Sequence, residues 1–256
     1  MTSQLAPLAR ALGIARSLVI YHEIPGRHRR MARFYAQFLG SGDLGFDVGA
    51  HVGSRVRSWQ RLDARVIAVE PQSDCLRLLR LLFGRDDKVE IVSAAVGAEA
   101  GTATLAVSSR TPTVSSVSPQ WIRKVAADRR FARVRWDVGV PVPVTTLDAL
   151  IDRYGQPAFC KIDVEGSEDA VLAGLSQPLA ALSFEYLPAA HDDVLKALAR
   201  LKLLGDYSYN YSPIETMRLA SDRWLDDTGL LRLLDRVRPS GRSGDVYARL
   251  VRSAAD

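Results

Sequence analysis

The stretch FDVGAHVGS, residues 46–54, decides the fold of this chain. Apolar residues flank the acid Asp47, and two glycines four positions apart, Gly49 and Gly53, precede a segment with helical spacing. Glycine bends the backbone sharply and lets it approach a ligand, because no Cβ stands in the way. A strand that ends in such a bend and continues into a helix is typical of sites for nucleotide-like ligands. The stretch therefore predicts one strand of an α/β sheet and a ligand site beside it.

On the C-terminal side of this stretch, strand patterns alternate with helical patterns along the chain. The strand patterns are LGFDVG (44–49), RVIAVE (65–70), KVEIVSAAVG (88–97), GTATLAVS (101–108), VPVPVTTL (140–147), AFCKIDVEG (158–166), ALSFEYL (181–187), YSYNYS (207–212) and GDVYARLV (244–251). This alternation predicts an α/β fold with a doubly wound, mostly parallel sheet. We expect a single domain over residues 41–256 and a helical extension over residues 1–40, which packs on the domain or covers the cofactor.

The composition is that of an ordinary folded domain, with 47% hydrophobic and 25% charged residues in a chain of 256. The net charge of +5 permits an anionic partner, but the 29 arginines among the 34 basic residues are spread along the chain. A nucleic-acid groove would show them clustered. The densest cluster, GRHRRMAR at 26–33, is expected to be the polar face of a helix. We therefore expect no nucleic-acid partner.

The cysteine content and the apolar runs bear on location. Cys75 and Cys160 lack the C-x-x-C spacing, which excludes a disulfide framework or a zinc knuckle and fits a reducing compartment. No apolar run approaches the roughly 20 residues that a membrane span needs. Arg10 and Arg16 interrupt the N-terminal apolar stretch, which a secretory signal would not tolerate. We expect a cytoplasmic location and no integral membrane segment.

The glycine spacing separates two classes of cofactor. A dinucleotide loop needs G-x-G-x-x-G, and counting from Gly49 the other two glycine positions hold His51 and Ser54. Asp47 would face the ligand, where a carboxylate repels a pyrophosphate but suits an amine or a sulfonium. S-adenosylmethionine (SAM) carries both of these cations. The pattern therefore favours SAM over NAD, although a glycine-rich turn can also serve tight packing alone.

An acid at the end of the second strand completes this prediction. Glu70 lies 21 residues beyond Gly49, where a carboxylate can accept both hydroxyls of a ribose. Pro71 follows it, and the adenine would lie beyond, against the end of the third strand at Ser93, Ala94 and Ala95.

The chain resembles the FkbM family of SAM-dependent methyltransferases. The resemblance is carried by the run from FDVGAHVGS through VIAVEPQSDCLRLLR, VTTLDALI, KIDVEGSEDAVLAG and LSFEY to GDVYARL. The resemblance implies the class I methyltransferase fold, a Rossmann-like seven-stranded sheet whose last strand is antiparallel. It also implies methylation of a hydroxyl on a small molecule, such as a sugar, a glycolipid or a polyketide-like metabolite. Asp47, Gly49 and Gly53 would form the first SAM motif and Glu70 would be the ribose acid. The family usually has Asn where His51 stands, and we expect His51 to order the loop.

The candidates for chemistry follow the later strands. A hydroxyl is a poor nucleophile until it loses its proton, so a general base is needed. KIDVEGSE (161–168) places Asp163 and Glu165 in one bend, and Asp163 would also border the cofactor. Glu185 in SFEY lies near the end of the next strand, and we expect it at the same edge of the sheet. We predict that the base is one of these three carboxylates, without ranking them.

Three further residues are candidates for contact with the acceptor. The resemblance places a serine pair, here Ser115 and Ser116, near the active site, and His191 lies on a loop six residues after Glu185. A divalent metal that acidifies the hydroxyl is not favoured, because the acids show no clear ligand spacing.

Two other functions are alternatives. The incomplete G-x-G-x-x-G pattern argues against an NAD-dependent oxidoreductase. An RNA-modifying methyltransferase disagrees with DVEG (163–166), where enzymes that methylate base amines generally carry an Asp/Asn-Pro-Pro-aromatic turn. We expect a small-molecule hydroxyl acceptor as the partner, and the sequence is compatible with a homo-oligomer.

Overall fold

The computed structural model describes residues 13, 18, 24–108, 111, 114–127, 131–132 and 134–251. Most of the predicted extension before residue 24 lies outside the described residues. The helices are α1 (Arg27–Tyr35), α2 (Ser54–Gln60), α3 (Ser73–Phe83), α4 (Pro119–Ala126), α5 (Leu147–Tyr154), α6 (Glu168–Ala173), α7 (His191–Leu204) and α8 (Asp227–Val237). The strands are β1 (Leu44–Val48), β2 (Arg65–Val69), β3 (Val89–Val92), β4 (Ala95–Val96), β5 (Gly101–Val107), β6 (Val138–Thr145), β7 (Phe159–Ile162), β8 (Ala181–Tyr186), β9 (Tyr207–Pro213) and β10 (Gly244–Leu250).

Seven strands form the central sheet in the order β3-β2-β1-β7-β8-β10-β9. Strand β1 pairs in parallel with β2 on one side and with β7 on the other, so Asp47 lies between Ala68 and Lys161. Strand β10 is antiparallel to both of its neighbours. The predicted class I methyltransferase fold, with its antiparallel last strand, is confirmed.

Two predicted strands lie outside this sheet. Strands β5 and β6 form a second, three-stranded sheet with β4, in the order β4-β6-β5. Pro141 and Pro143 of β6 pair only with β5, because β4 pairs with Val144 and Thr145. Proline cannot donate to a ladder, so it is tolerated where a strand has one neighbour and not two.

The central sheet is packed on both faces, as its alternating side chains require. Along β2, Ile67 and Val69 join one core cluster, which also contains buried side chains of α5, α6, α7 and α8. Val66 and Ala68 join the other cluster, with buried side chains of α1, α2 and α3.

Helix α1 belongs to the second face through its apolar side. Phe34 and Tyr35 are buried and make edge-to-face contacts with Tyr247 and Trp59, respectively. The arginines at 29, 30 and 33 are exposed, so the basic cluster is the polar face of this helix, as expected. Over the described part of the chain, no helix is both long enough and apolar enough to cross a membrane.

Candidate active site

A cleft opens at the carboxyl ends of β1, β2 and β7. It contains about 1020 Å³ of space, open solvent included. Of the predicted site residues, the lining includes Asp47, Gly49, His51, Glu70, Pro71, Ala94, Ala95, Ser115, Asp163 and Glu165. It also includes residues that the sequence analysis did not identify, among them Arg55, Gln72, Leu105, Val117 and Glu215.

The glycine bend brings β1 and β7 into backbone contact beneath the cleft. Gly49 has a φ of 84°, in the left-handed region, and a Cβ built on it would overlap the carbonyl oxygen of Asp163. The N–H of Gly49 donates to the carbonyl of Val69 at 2.9 Å. Only glycine satisfies both the conformation and the lack of space at this position.

Replacing Gly49 with alanine is therefore expected to lower the free energy of unfolding by at least about 1–2 kcal/mol, because of left-handed strain alone. The overlap with Asp163 adds to this loss. Urea denaturation would measure it, with Gly101→Ala as the matched control, since a Cβ on Gly101 meets nothing within 4 Å. Equal midpoints for the two variants would contradict the packing described for Gly49.

Glu70 closes the second strand and holds the glycine loop. Its Oε2 accepts the backbone N–H of His51 at 2.8 Å, and its Oε1 accepts that of Gln72 at 2.8 Å. His51 has a φ of 50°, a region in which Asn and His occur more often than most residues. Burial raises the pKa of Glu70 to about 7, against the effect of these two hydrogen bonds.

Asp47 lies at the floor of the cleft with an unused hydrogen-bonding atom. The residue is 1% exposed, and its Oδ2 has no hydrogen-bond partner in the structure. Burial raises its pKa to about 6, although Arg55 and Lys161 oppose the shift. A buried carboxylate without a partner is costly, which makes this atom a candidate for a cationic ligand group.

The raised pKa of Asp47 predicts a pH dependence of the unliganded protein. For an acid whose folded pKa exceeds its unfolded value of 3.8, the contribution to stability is fully present below the unfolded value and is lost as pH rises through about 6. The difference in unfolding free energy between Asp47→Asn and the native protein should therefore move in favour of the variant by about 3 kcal/mol between acidic and neutral pH. Urea titrations at the two pH values would measure this. A difference that does not change with pH would mean that Asp47 titrates normally.

A buried lysine organises the acids on the other side of the cleft. Lys161 is fully buried, and its Nζ lies 3.0 Å from Oδ2 of Asp163 and 3.1 Å from Oδ1 of Asp245. Burial alone would raise the pKa of Asp163, but Lys161 and Arg55 hold it below its ordinary value. Asp163 is therefore ionised at neutral pH.

Two half-buried glutamates join Asp163 at this rim. Carboxylate oxygens of Asp163, Glu165 and Glu185 all lie within 4.8 Å of one another. Burial raises the pKa of Glu165 well above its usual range, and the charge of Asp163 adds to the effect. Burial likewise raises the pKa of Glu185, with a further contribution from Glu165. The cluster thus combines an ionised aspartate with two carboxyls that hold a proton more strongly.

The fourth acid of this region has a structural role. Oε1 of Glu168 accepts the backbone N–H of both Val164 and Gly166 at 3.2 Å, so it stabilises the bend that carries Glu165.

The other predicted residues are distributed as follows. Oγ of Ser115 donates to Gln72 at 2.8 Å at the cleft, whereas Oγ of Ser116, fully buried behind it, donates to the carbonyl of Glu165 at 2.7 Å. Gly53 lies below the cleft, where a Cβ would overlap Phe83.

Two other predicted residues lie away from the cleft. Ser93 is exposed and does not line it. His191 begins α7 and lies beside Tyr186 and Asp235, because the chain turns away from the rim through Pro188–Ala190. This position does not support the prediction that His191 contacts the acceptor.

A comparison of the sequence with protein families gives a match over residues 47–212 to the methyltransferase FkbM domain. No curated protein matches the chain. Among solved structures, an O-methyltransferase from Bacillus cereus in complex with SAH is similar, with 12% identity and a TM-score of 0.48 over 98% of this chain and 92% of that chain.

Two further solved structures are similar at the same level. A precorrin-6y C5,15-methyltransferase from Geobacter metallireducens has 14% identity and a TM-score of 0.43 over 86% of this chain and 87% of its own. An rRNA methylase from Streptococcus thermophilus has 11% identity and a TM-score of 0.43 over 86% of this chain and 94% of its own.

Proposed function

Since the chain belongs to the FkbM methyltransferase family and is a SAM-dependent methyltransferase, we propose that it methylates a hydroxyl group of a small molecule, such as a sugar, a glycolipid or a polyketide-like metabolite. The single observation that carries this proposal is the carboxylate cluster of Asp163, Glu165 and Glu185 at the rim of the cleft. A hydroxyl acceptor needs such a group to take its proton.

The placement of the cofactor is part of the proposal. SAM supplies a methyl carbon activated by a sulfonium. The unpartnered Oδ2 of Asp47 suits its cationic end, and Glu70, whose two oxygens each accept one backbone N–H, has lone pairs left for the ribose hydroxyls. Apolar side chains of Leu105 and Val117, with Ala94 and Ala95, would border the adenine. Gly49 lines the cleft and has no side chain that would occupy it.

Glu165 is the best placed base among the three acids. It lines the cleft, whereas Glu185, on strand β8, lines a separate small cavity. Two carboxyls this close titrate as a pair, so one ionises before the other. We expect the ionised member to accept the proton of the acceptor hydroxyl, while Asp163 remains bound to Lys161.

Lys161 also bears on the question of a metal. Its ammonium is 3.0 Å from Oδ2 of Asp163 and supplies a positive charge to one of the three acids. This favours a base over a metal ion in the same place, and methyl transfer is expected to continue in the presence of EDTA.

The domain boundary remains a proposal as well. We propose residues 41–256 as the methyltransferase domain and residues 1–40 as a helical extension that packs on this domain or covers the cofactor. The supporting contact is the ion pair of Arg27, on α1, with Glu215, which lines the cleft.

The test of the function is to incubate the protein with SAM carrying an isotope-labelled methyl group and with extract of its source cells, with and without EDTA. The proposal expects label in a small molecule, bound through an ether linkage that resists mild hydrolysis. Label in RNA that ribonuclease releases, or in an N-methyl group, would contradict it.

A further inference from the structure

An acid and an arginine line the cleft, close enough for the charge of Arg55 to lower the pKa of Asp47. Asp47 is 1% exposed with Oδ2 unpartnered, and Arg55 has an exposed side-chain fraction of 13% with Nε buried and unpartnered. Both residues line the cleft. An arginine offers five N–H donors in a planar fork that matches a carboxylate.

Arg55 is held in place by a bridge between three separate parts of the chain. Its Nη1 lies 2.9 Å from Oε1 of Glu215, in the loop after β9, and Oε2 of Glu215 pairs with Arg27 of α1. One carboxylate is thus shared by two guanidinium groups. Glu215 orients Arg55 without using its Nε.

A buried carboxylate and a partly buried guanidinium that line one cleft, each with an unpartnered hydrogen-bonding atom, match the zwitterion of an α-amino acid. We infer that Arg55 binds the α-carboxylate of the methionyl end of SAM, that Asp47 binds its α-ammonium, and that Glu215 is a positioning residue for Arg55. The inference rests on SAM as the cofactor and adds the group that recognises its carboxylate. It is independent of the chemistry of the acceptor.

A merely structural role for Arg55 has a different signature. Arg55 is close enough to Asp47 and Asp163 to influence both of their pKa values. Without this charge the pKa of Asp47 would rise further, which would weaken its contact with the ammonium group that both ligands carry. A pair of ligands that differ only in the carboxylate therefore separates the two roles.

The experiment measures calorimetric affinities of the full chain for S-adenosylhomocysteine (SAH) and for decarboxylated SAH, which retains the amine. The native protein is expected to bind SAH about 10- to 100-fold more tightly than the decarboxylated analogue, because charge-assisted contacts are strong. In Arg55→Gln this preference should fall below about threefold, through loss of SAH affinity alone. Glu215→Gln should reduce the preference in part, and Arg55→Lys should retain some of it.

Arg57→Gln is the matched control, because Arg57 lies on the same helix with its side chain exposed. It should keep the native preference. The inference is overturned if Arg55→Gln retains the preference, or if it loses affinity for both ligands by the same factor. If Arg55→Gln does not fold, Arg55→Lys replaces it, and a preference equal to the native one in Arg55→Lys would overturn the inference. Failure of the native protein to bind SAH would overturn the cofactor assignment itself, whereas an error in the proposed hydroxyl acceptor would leave all these affinities unchanged.

Discussion

Replacing Glu165 with glutamine is expected to lower kcat by roughly a hundredfold to ten-thousandfold, the usual contribution of a general base. The amide cannot accept the proton of the acceptor hydroxyl, but it is close in size to the carboxyl and tolerates the same backbone conformation. SAH affinity should stay within about twofold of the native value, since the change affects the chemical step and not the cofactor. Methyl transfer to the isolated acceptor and calorimetry with SAH would measure the two effects.

The matched control is Glu99→Gln, in an exposed turn far along the chain from the rim. It should be fully active. Glu185→Gln should cause a smaller loss than Glu165→Gln, because Glu185 does not line the cleft. In the native protein kcat should rise with pH through a pKa above the ordinary glutamate range, since burial raises the pKa of both glutamates. Full activity in both variants would remove the carboxylate pair from the proposed mechanism.

Glu70→Gln is expected to weaken SAH binding by about 100-fold, which corresponds to about 2.7 kcal/mol. The carboxylate has lone pairs for two ribose hydroxyls, whereas the amide of glutamine offers one oxygen. The affinity of the native protein should also fall as pH drops below about 7, because burial raises the pKa of Glu70 to about 7 and protonation removes the same acceptor. Calorimetry across this pH range would measure both effects.

The variant also removes an acceptor from one backbone N–H of the loop, at His51 or Gln72. We therefore expect a loss of about 1–3 kcal/mol in unfolding free energy alongside the loss of affinity. Adenosine analogues without ribose hydroxyls should bind the native protein and the variant equally. If Glu70→Gln lowered the affinity for both kinds of ligand alike, the effect would come from the loop and not from the ribose contact.

The sequence predicts those parts of the site whose positions follow from residues that are close together in the chain. The bend at Gly49 follows directly from a short apolar strand, and Glu70 ends the next strand in a parallel pair. The carboxyl ends of adjacent parallel strands meet at one edge of the sheet, which brings Glu165 after β7 close to Glu185 at the end of β8. Local patterns and the parallel alternation suffice for these positions.

Other residues of the site depend on contacts that no local pattern encodes. Asp245 reaches Lys161 because β10 is antiparallel and its first residues lie opposite the end of β8. Glu215 comes from a loop after β9 that has no recognisable motif, and its pairing with Arg55 spans 160 positions of the chain. His191 is the opposite case. It is close to Glu185 in sequence, but the turn at Pro188–Ala190 separates the two residues in the structure.

The most direct test of the central claim is the crystal structure of the protein with SAH. The account predicts SAH in the cleft above Gly49, with its ribose hydroxyls on Glu70 and its amino group on Asp47. SAH at another site, or a cleft filled by the side chains of the protein itself in the presence of saturating SAH, would contradict it.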